Sequence, residues 1–463
     1  MGSSWSLARR QSAEEQARST TECSSKRQRL SFSYDLDHPQ LIPGLPNEVS
    51  LQIIARVPRG FHSTLRLVGR GWNEVLRTQE VFALRKEQGL TEEWLYILTK
   101  DAEDSMIWYA LDPLTGIWRM LPSMPELKPD EEPREVSPGW GWRNAIGSSG
   151  NLISEFLKGW FRRKDASKQT PFCGCSAAVM DGSLYVLGGF SRTSALRCVW
   201  KYDPRFNEWS ESAAMGTPRA YCKTGLLKDK LYVVGGVNRG RGGLTPLQSG
   251  EVYEPVTNSW SPIPNMPFTR AQVLPTAFLA DMLKPIATGM AAFKDQLWVP
   301  QSLYSWPFFV DVGGEVYDPE SNLWKDMPRG MGEGWPARQA GTKLSVIVNG
   351  HLYSLDPTSS LDGSKIKVYD FDQDAWKIVV SKVPVLLDLA ESESPYLLAC
   401  LRGGLHIVTK DINDNVTVLK VDLTKYPLPG EGPSLELEEE RWTNISTSSF
   451  GSVELITGQV LDI

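Results

Sequence analysis

Long apolar runs are missing from this chain. No stretch approaches the roughly 20 residues that a membrane-spanning helix needs, so no transmembrane anchor and no membrane contact are expected. Histidine is scarce, with four residues at positions 38, 62, 351 and 406. General acid–base catalysis and imidazole-rich metal sites therefore have few candidates. Excess positive charge is absent as well. Forty-nine Lys and Arg stand against 55 Asp and Glu, a net charge of −6, which removes the electrostatic case for nucleic acid as the main partner. The six cysteines are irregularly spaced, with no secretory leader before them. They form no disulfide framework and point to a reducing setting, cytoplasmic and/or nuclear. Cys173-Gly-Cys175 has no companion ligand cluster and reads as packing. No metal and no cofactor are expected.

What is abundant is tryptophan, 17 residues, and much of it belongs to one recurring phrase. It reads Leu111-Asp112-Pro113-Leu-Thr-Gly116-Ile-Trp118, Tyr202-Asp203-Pro204-Arg-Phe-Asn207-Glu-Trp209, Tyr253-Glu254-Pro255-Val-Thr-Asn258-Ser-Trp260, Tyr317-Asp318-Pro319-Glu-Ser-Asn322-Leu-Trp324 and Tyr369-Asp370-Phe-Asp-Gln-Asp374-Ala-Trp376. The acid can accept a hydrogen bond from the backbone just ahead and so start a turn, and Pro presets the next φ. Gly, Asn and Asp tolerate the left-handed conformation that such a turn needs. Trp then opens a return strand. The phrase thus predicts a hairpin between two strands, repeated along the chain.

A second pattern precedes it: Ala177 to Gly189, with Leu184-Tyr-Val-Leu-Gly-Gly, and Gly225 to Gly236, with Leu231-Tyr-Val-Val-Gly-Gly. Degenerate copies begin at Ala291, Ser345 and Leu398. Each predicts two further strands, so every unit is a four-stranded sheet. Trp-to-Trp intervals from 209 to 376 are 51, 64 and 52 residues, near the ~50-residue period of kelch repeats. The doublet glycines, the Tyr and the spaced Trp make residues 91–463 resemble a kelch β-propeller, and six blades are counted. Val299-Pro300 and Ser354-Leu355 stand where that pattern has its glycine pair. The first blade lacks an opening strand, because Trp94 to Thr99 already resembles a second strand. Ser452-Val-Glu-Leu-Ile456 is strand-like and otherwise unemployed, so it is expected to complete that blade and close the ring.

Residues 40–86 are different in kind. Val49, Ile53, Ile54 and Val57, then Leu65, Val68, Trp72 and Leu76, follow helical spacing, with a break at Pro58 and Gly60. Leu45-Pro46-Asn47-Glu48-Val49, the spaced aliphatics and Leu65-Arg66-Leu-Val68 with Trp72 resemble an F-box. Gly69 and Gly71 depart from it, since each costs about 1 kcal/mol if helical. The resemblance implies binding to a Skp-type adaptor, and through it to a cullin ubiquitin ligase, with Leu45, Pro46, Val49, Ile53, Ile54, Val57, Pro58, Leu65, Val68 and Trp72 as the contact set. The alternative is a small helical cap on the propeller. The fold class is therefore mainly β, a six-bladed kelch propeller preceded by a small helical F-box module. Residues 1–39, rich in Ser, Arg and Glu, read as a disordered arm.

In an up-and-down blade, turns after the first and third strands share one end of the sheet. The uniform phrase lies there, interrupted only by an acidic excursion from about residue 425 to 441. The opposite end holds the long connections 190–198, 237–250, 300–313, 354–364 and 381–394, and an insertion at 126–172. Length variation on one end marks it as the place where binding is built. It carries Arg192, Arg219, Arg239, Arg241, Arg270 and Arg338 with Trp306, Phe308 and Trp335, a candidate basic, aromatic-rimmed surface for an acidic or phosphorylated protein segment. The alternative is that these arginines pack between blades. Leu152, Ile153, Phe156, Leu157, Trp160 and Phe161, followed by three basic residues, form an amphipathic helical stripe. It is expected to dock on the propeller or a partner, and such a stripe also suits membranes or calmodulin. Met1-Gly2-Ser-Ser-Trp-Ser6 fits an N-myristoylation pattern, and Lys26-Arg-Gln-Arg29 a nuclear signal.

Together these features imply a non-enzymatic substrate receptor of a Skp–cullin–F-box ligase, with its protein substrate unnamed. The alternatives are a non-degradative scaffold, or a kelch-propeller copper oxidase, for which clustered His and Tyr ligands are missing.

Overall fold

The computed structural model describes residues 40–126, 172–191, 194–240, 243–268, 285–305, 308–335, 344–356, 364–384, 396–423 and 442–463. The chain divides between Leu90 and Thr91 into two compact units.

The first unit is helical. Its helices are α1 (Asn47–Ala55), α2 (His62–Leu65, entered from a 3-10 turn at Arg59–Phe61), α3 (Arg70–Val75) and α4 (Gln79–Glu87). Leu51, Ile54 and Ala55 of α1 pack on Val75, Leu76, Val81 and Leu84. Gly69 lies outside α3 in extended backbone, so only Gly71 bears a helical penalty. There a Cβ would stand 3.2 Å from the Leu41 side chain. Leu41 is held from the other side too, since the Trp72 indole N–H donates to its carbonyl at 2.7 Å.

The second unit is a ring of six sheets among the described residues. Blade two, with strands Ser176–Met180, Ser183–Leu187, Val199–Asp203 and Glu208–Ser212, is the pattern for the rest. Blade one is Glu93–Asp101, Met106–Asp112 and Ile117–Met120, with Val453–Asp462 as its innermost strand. The expected closure by the C-terminal segment is therefore present, and it is longer than the sequence suggests. The first strands of successive blades touch one another all the way round. Six buried clusters fill the six seams between neighbouring blades.

The repeated phrase does what its chemistry predicts. Gly116, Asn207, Asn258, Asn322 and Asp374 all have positive φ, between 47° and 70°. Asp112, Asp203, Asp318 and Asp370 accept a hydrogen bond from the N–H two residues on, at 2.9–3.0 Å. Tyr202, Tyr253 and Tyr317 donate to the turn Asn at 2.7–2.8 Å. Each Trp then reaches back to the preceding blade: Trp209 to the Pro122 carbonyl, Trp260 to Ala213, Trp324 to Pro264, Trp376 to Met331, and Trp118 to the Ser446 hydroxyl, all at 2.7–3.0 Å. The phrase is a clamp between blades. In blade six the same place is held by Trp442, which pairs with Val421 as Trp209 pairs with Tyr202.

The opposite end is more regular than its sequence suggests. Connection 190–198 contains a small hairpin, Phe190–Ser191 with Ser194–Ala195, and 237–250 another, Val237–Gly240 with Gly243–Pro246. In blade four the strands Gln296–Ser305 and Phe308–Asp318 run on as one long ribbon. Blades one and six have short turns at this end instead. There Asp101 and Asp411 each bond the N–H groups two and four residues on.

Candidate functional site

On the helical unit, the ten residues expected to contact an adaptor divide into two groups. Val49 and Ile53, one turn apart on α1, are each 42% exposed, and Val68 is 61% exposed. Pro46 and Pro58 are exposed too, and Leu45 and Val57 are half-buried. Ile54 is completely buried and belongs to the core, a correction to its expected contact role. The reason is the stripe Leu51, Ile54, Ala55, which faces α4 and leaves Ile53 outside. Leu65 and Trp72 also pack against this core. Two exposed residues were missed: Phe61, and Leu67 at 85% exposure. Both lie in turns, outside any helical period; the signal was a large apolar side chain in a short polar turn.

A buried cation and a buried imidazole hold this surface in place. Arg85 is 1% exposed, and its guanidinium donates to the carbonyls of Ala55, Val57 and Leu90 at 2.7–2.8 Å. It thereby fixes the C-terminal end of α1. His62 Nε2 lies 3.1 Å from the Val57 carbonyl. Burial first, then the neighbouring Arg59, lowers its pKa to about 3. In the unfolded chain this imidazole takes its proton near 6.5. Between these values the unfolded state binds more protons, so stability is full above about pH 6.5 and falls as pH drops toward 3. The slope is at most about 1.4 kcal/mol per pH unit. His62→Gln is expected to flatten it, read from hydrogen-exchange protection of the α1 amides across pH 4–7 in the full chain.

At the variable end of the propeller, two of the expected substrate residues are corrected. Arg219 is 0% exposed. Its guanidinium meets Glu251 Oε1 at 2.8 Å, donates to the Gly235 and Ser249 carbonyls, and bonds the Ser249 hydroxyl. Glu251 is completed by the N–H groups of Gly216 and Thr217. Every strong donor of Arg219 is used inside blade three, so it presents nothing to a partner. Trp335, which follows helix α5 (Arg329–Gly334), is 3% exposed. It packs in the seam between blades four and five, edge-on to Trp376 at 5.9 Å. Arg239 sits on the second small ribbon, paired with Leu244 through the backbone, as Phe308 pairs with Ser305 on the long one. Arg192, Arg241, Arg270, Trp306 and Arg338 lie outside the described residues, as does the apolar stripe 152–161.

The Cys173-Gly-Cys175 segment is packing. The Tyr221 ring lies on Gly174, where a Cβ would come within 2.6 Å of it, and burial pushes the Cys175 thiol far up. Among the described residues no three His, Cys, Asp or Glu gather in a way that could hold a metal ion. None of the described helices is long and apolar enough to cross a membrane.

Six blades, two of them with a Gly–Gly pair after the second strand, and the Trp clamps between blades define a kelch-type propeller. A family profile described as Kelch motif matches residues 171–216 and 218–267. F-box/kelch-repeat protein At1g22040 of Arabidopsis thaliana is 53% identical over 461 residues, covering 96% of either chain. F-box/kelch-repeat protein At1g30090 of the same plant is 29% identical over 71% of this chain and 67% of its own length. F-box/kelch-repeat protein At1g16250 is 25% identical over 80% and 82%. The chain belongs to the F-box/kelch-repeat family, a family of non-enzymatic, protein-binding molecules.

Proposed function

We propose that this chain is the substrate-recognition subunit of a Skp–cullin–F-box ubiquitin ligase. The helical unit binds the Skp-type adaptor, and the propeller holds the protein to be ubiquitinated. One observation carries this reading: a small helical unit with a complete core of its own leaves Val49, Ile53, Phe61, Leu67 and Val68 exposed. Apolar side chains left out of so small a core suit a partner's helices. Bringing adaptor and substrate together raises effective concentration, and no catalytic group in this chain is needed for that. The reading places the protein in the cytoplasm and/or nucleus, where such ligases act.

The test is co-purification with a Skp-type adaptor. Ile53→Asp combined with Val68→Asp is expected to weaken the complex at least about 30-fold, the scale of losing interface hot spots, with helicity retained because both residues are outside the core. Unchanged adaptor binding would sink the assignment. Inhibiting the proteasome should then cause the propeller's partner to accumulate.

A further inference from the structure

The innermost strands begin at the variable end of the ring, and one position there is structurally equivalent from blade to blade. It faces the last residue of the second strand before the Gly–Gly pair: Ser176 opposite Leu187 and Lys223 opposite Val234. Without the glycines, Leu397 faces Val408 and Thr457 faces Leu98 in the same way. Across these four blades the position is hydroxyl-bearing or aliphatic except at Lys223, the one charged member.

Strand alternation puts Lys223 on the same side as Gly225, whose open side looks onto Met290 and Leu297 of blade four. The surroundings are therefore apolar. Burial lowers the Lys223 ammonium from its ordinary range to about 8, and the neighbouring Cys222 thiol acts in the other direction. Among the described residues the Lys223 ammonium takes part in no ion pair or hydrogen bond. It keeps some contact with solvent and remains mostly protonated at neutral pH. Arg219, four residues earlier, shows the contrast, since its charge is answered by Glu251 at 2.8 Å. A partly buried cation without an anion is unfavourable alone, and correspondingly attractive to an anion that arrives with its own contacts.

We propose that Lys223 is an anion site at the mouth of the propeller's axis, taking a carboxylate or phosphoryl group from a bound protein. This rests on the reading of the propeller as the substrate-holding part. It also moves the acid-recognising charge from Arg219, which the fold consumes, to a lysine that no described residue answers.

The test uses the full chain carrying 13Cε-labelled lysine, with acetate and inorganic phosphate as probes against chloride at equal ionic strength. The Lys223 resonance, assigned by its loss in Lys223→Met, is expected to move saturably with at least one probe. The ammonium should then titrate about one unit higher in that probe, a tenfold gain in proton affinity. Acetate alone assigns a carboxylate and phosphate alone a phosphoryl group. No response beyond the chloride control overturns the proposal. Lys223→Met is expected to be at least as heat-stable as the parent, because it removes a partly buried charge that no described residue pairs. A clear loss of stability would reveal an internal partner and also overturn the proposal. Adaptor capture measured on the same proteins keeps the two readings apart. Its absence from the parent chain counts against the ligase assignment and leaves the anion result standing.

Discussion

Removing residues 453–463 is expected to abolish the folded propeller rather than to trim it. Val453–Asp462 pairs with Glu93–Asp101 through nine residue pairs. It also touches the innermost strands of blades two and six, so it is the point at which the ring is closed. Val453, Leu455, Leu461 and Ile463 are buried in the two seams flanking blade one. At about 1.5–3 kcal/mol for each buried aliphatic side chain, their loss amounts to roughly 6–12 kcal/mol, comparable to the whole 5–15 kcal/mol by which a typical protein is stable. The truncated chain would also expose the Glu93–Asp101 edge, a template for aggregation. Loss of soluble protein and of the cooperative thermal transition is the expected result, with partial recovery on adding the 450–463 peptide in trans. A truncated chain that melts like the parent would show that the ring is not held at this point.

Ring closure was legible because it follows from an edge-strand argument that needs no contact information: one blade lacks a strand and one strand lacks a blade. The repeated turn was legible for a local reason. Asn207, Asn258, Asn322 and Asp374 must adopt positive φ, and few residue types do so at small energetic penalty. Trp442 was harder to see because residues 425–441 separate it from Val421, although the register across the two strands is the ordinary one. The ribbons at the variable end show in the sequence only as long connections, since their strands are only two to four residues long in blades two and three. The error over Arg219 has a different origin. An arginine after Pro218 in a loop looks solvent-facing, and its partner is 32 positions away. A signal was present nonetheless: Glu251 falls two residues before Tyr253, on a strand whose neighbours are apolar, and a carboxylate there demands a cation.

That burial makes Arg219→Met the most damaging single substitution to expect in blade three. It removes the cation and leaves Glu251, itself 5% exposed, as a charge with only the Gly216 and Thr217 N–H groups to answer it. Breaking a buried pair from one side costs about 3–5 kcal/mol, read as a lower denaturation midpoint at constant slope. The double substitution Arg219→Met with Glu251→Leu should recover part of this loss, because an apolar pair of similar volume tolerates the site. Recovery stays incomplete, since the two N–H groups lose their acceptor. A surface arginine predicts the opposite pattern, a change within about 0.5 kcal/mol for the single variant and nothing to recover in the double. The cycle also bears on function. Charge reversal at Arg219 would abolish substrate capture by disordering blade three, and the loss would resemble a binding defect. Capture by Arg219 variants is therefore informative only beside their stability, whereas Lys223→Met separates charge from folding in a single protein.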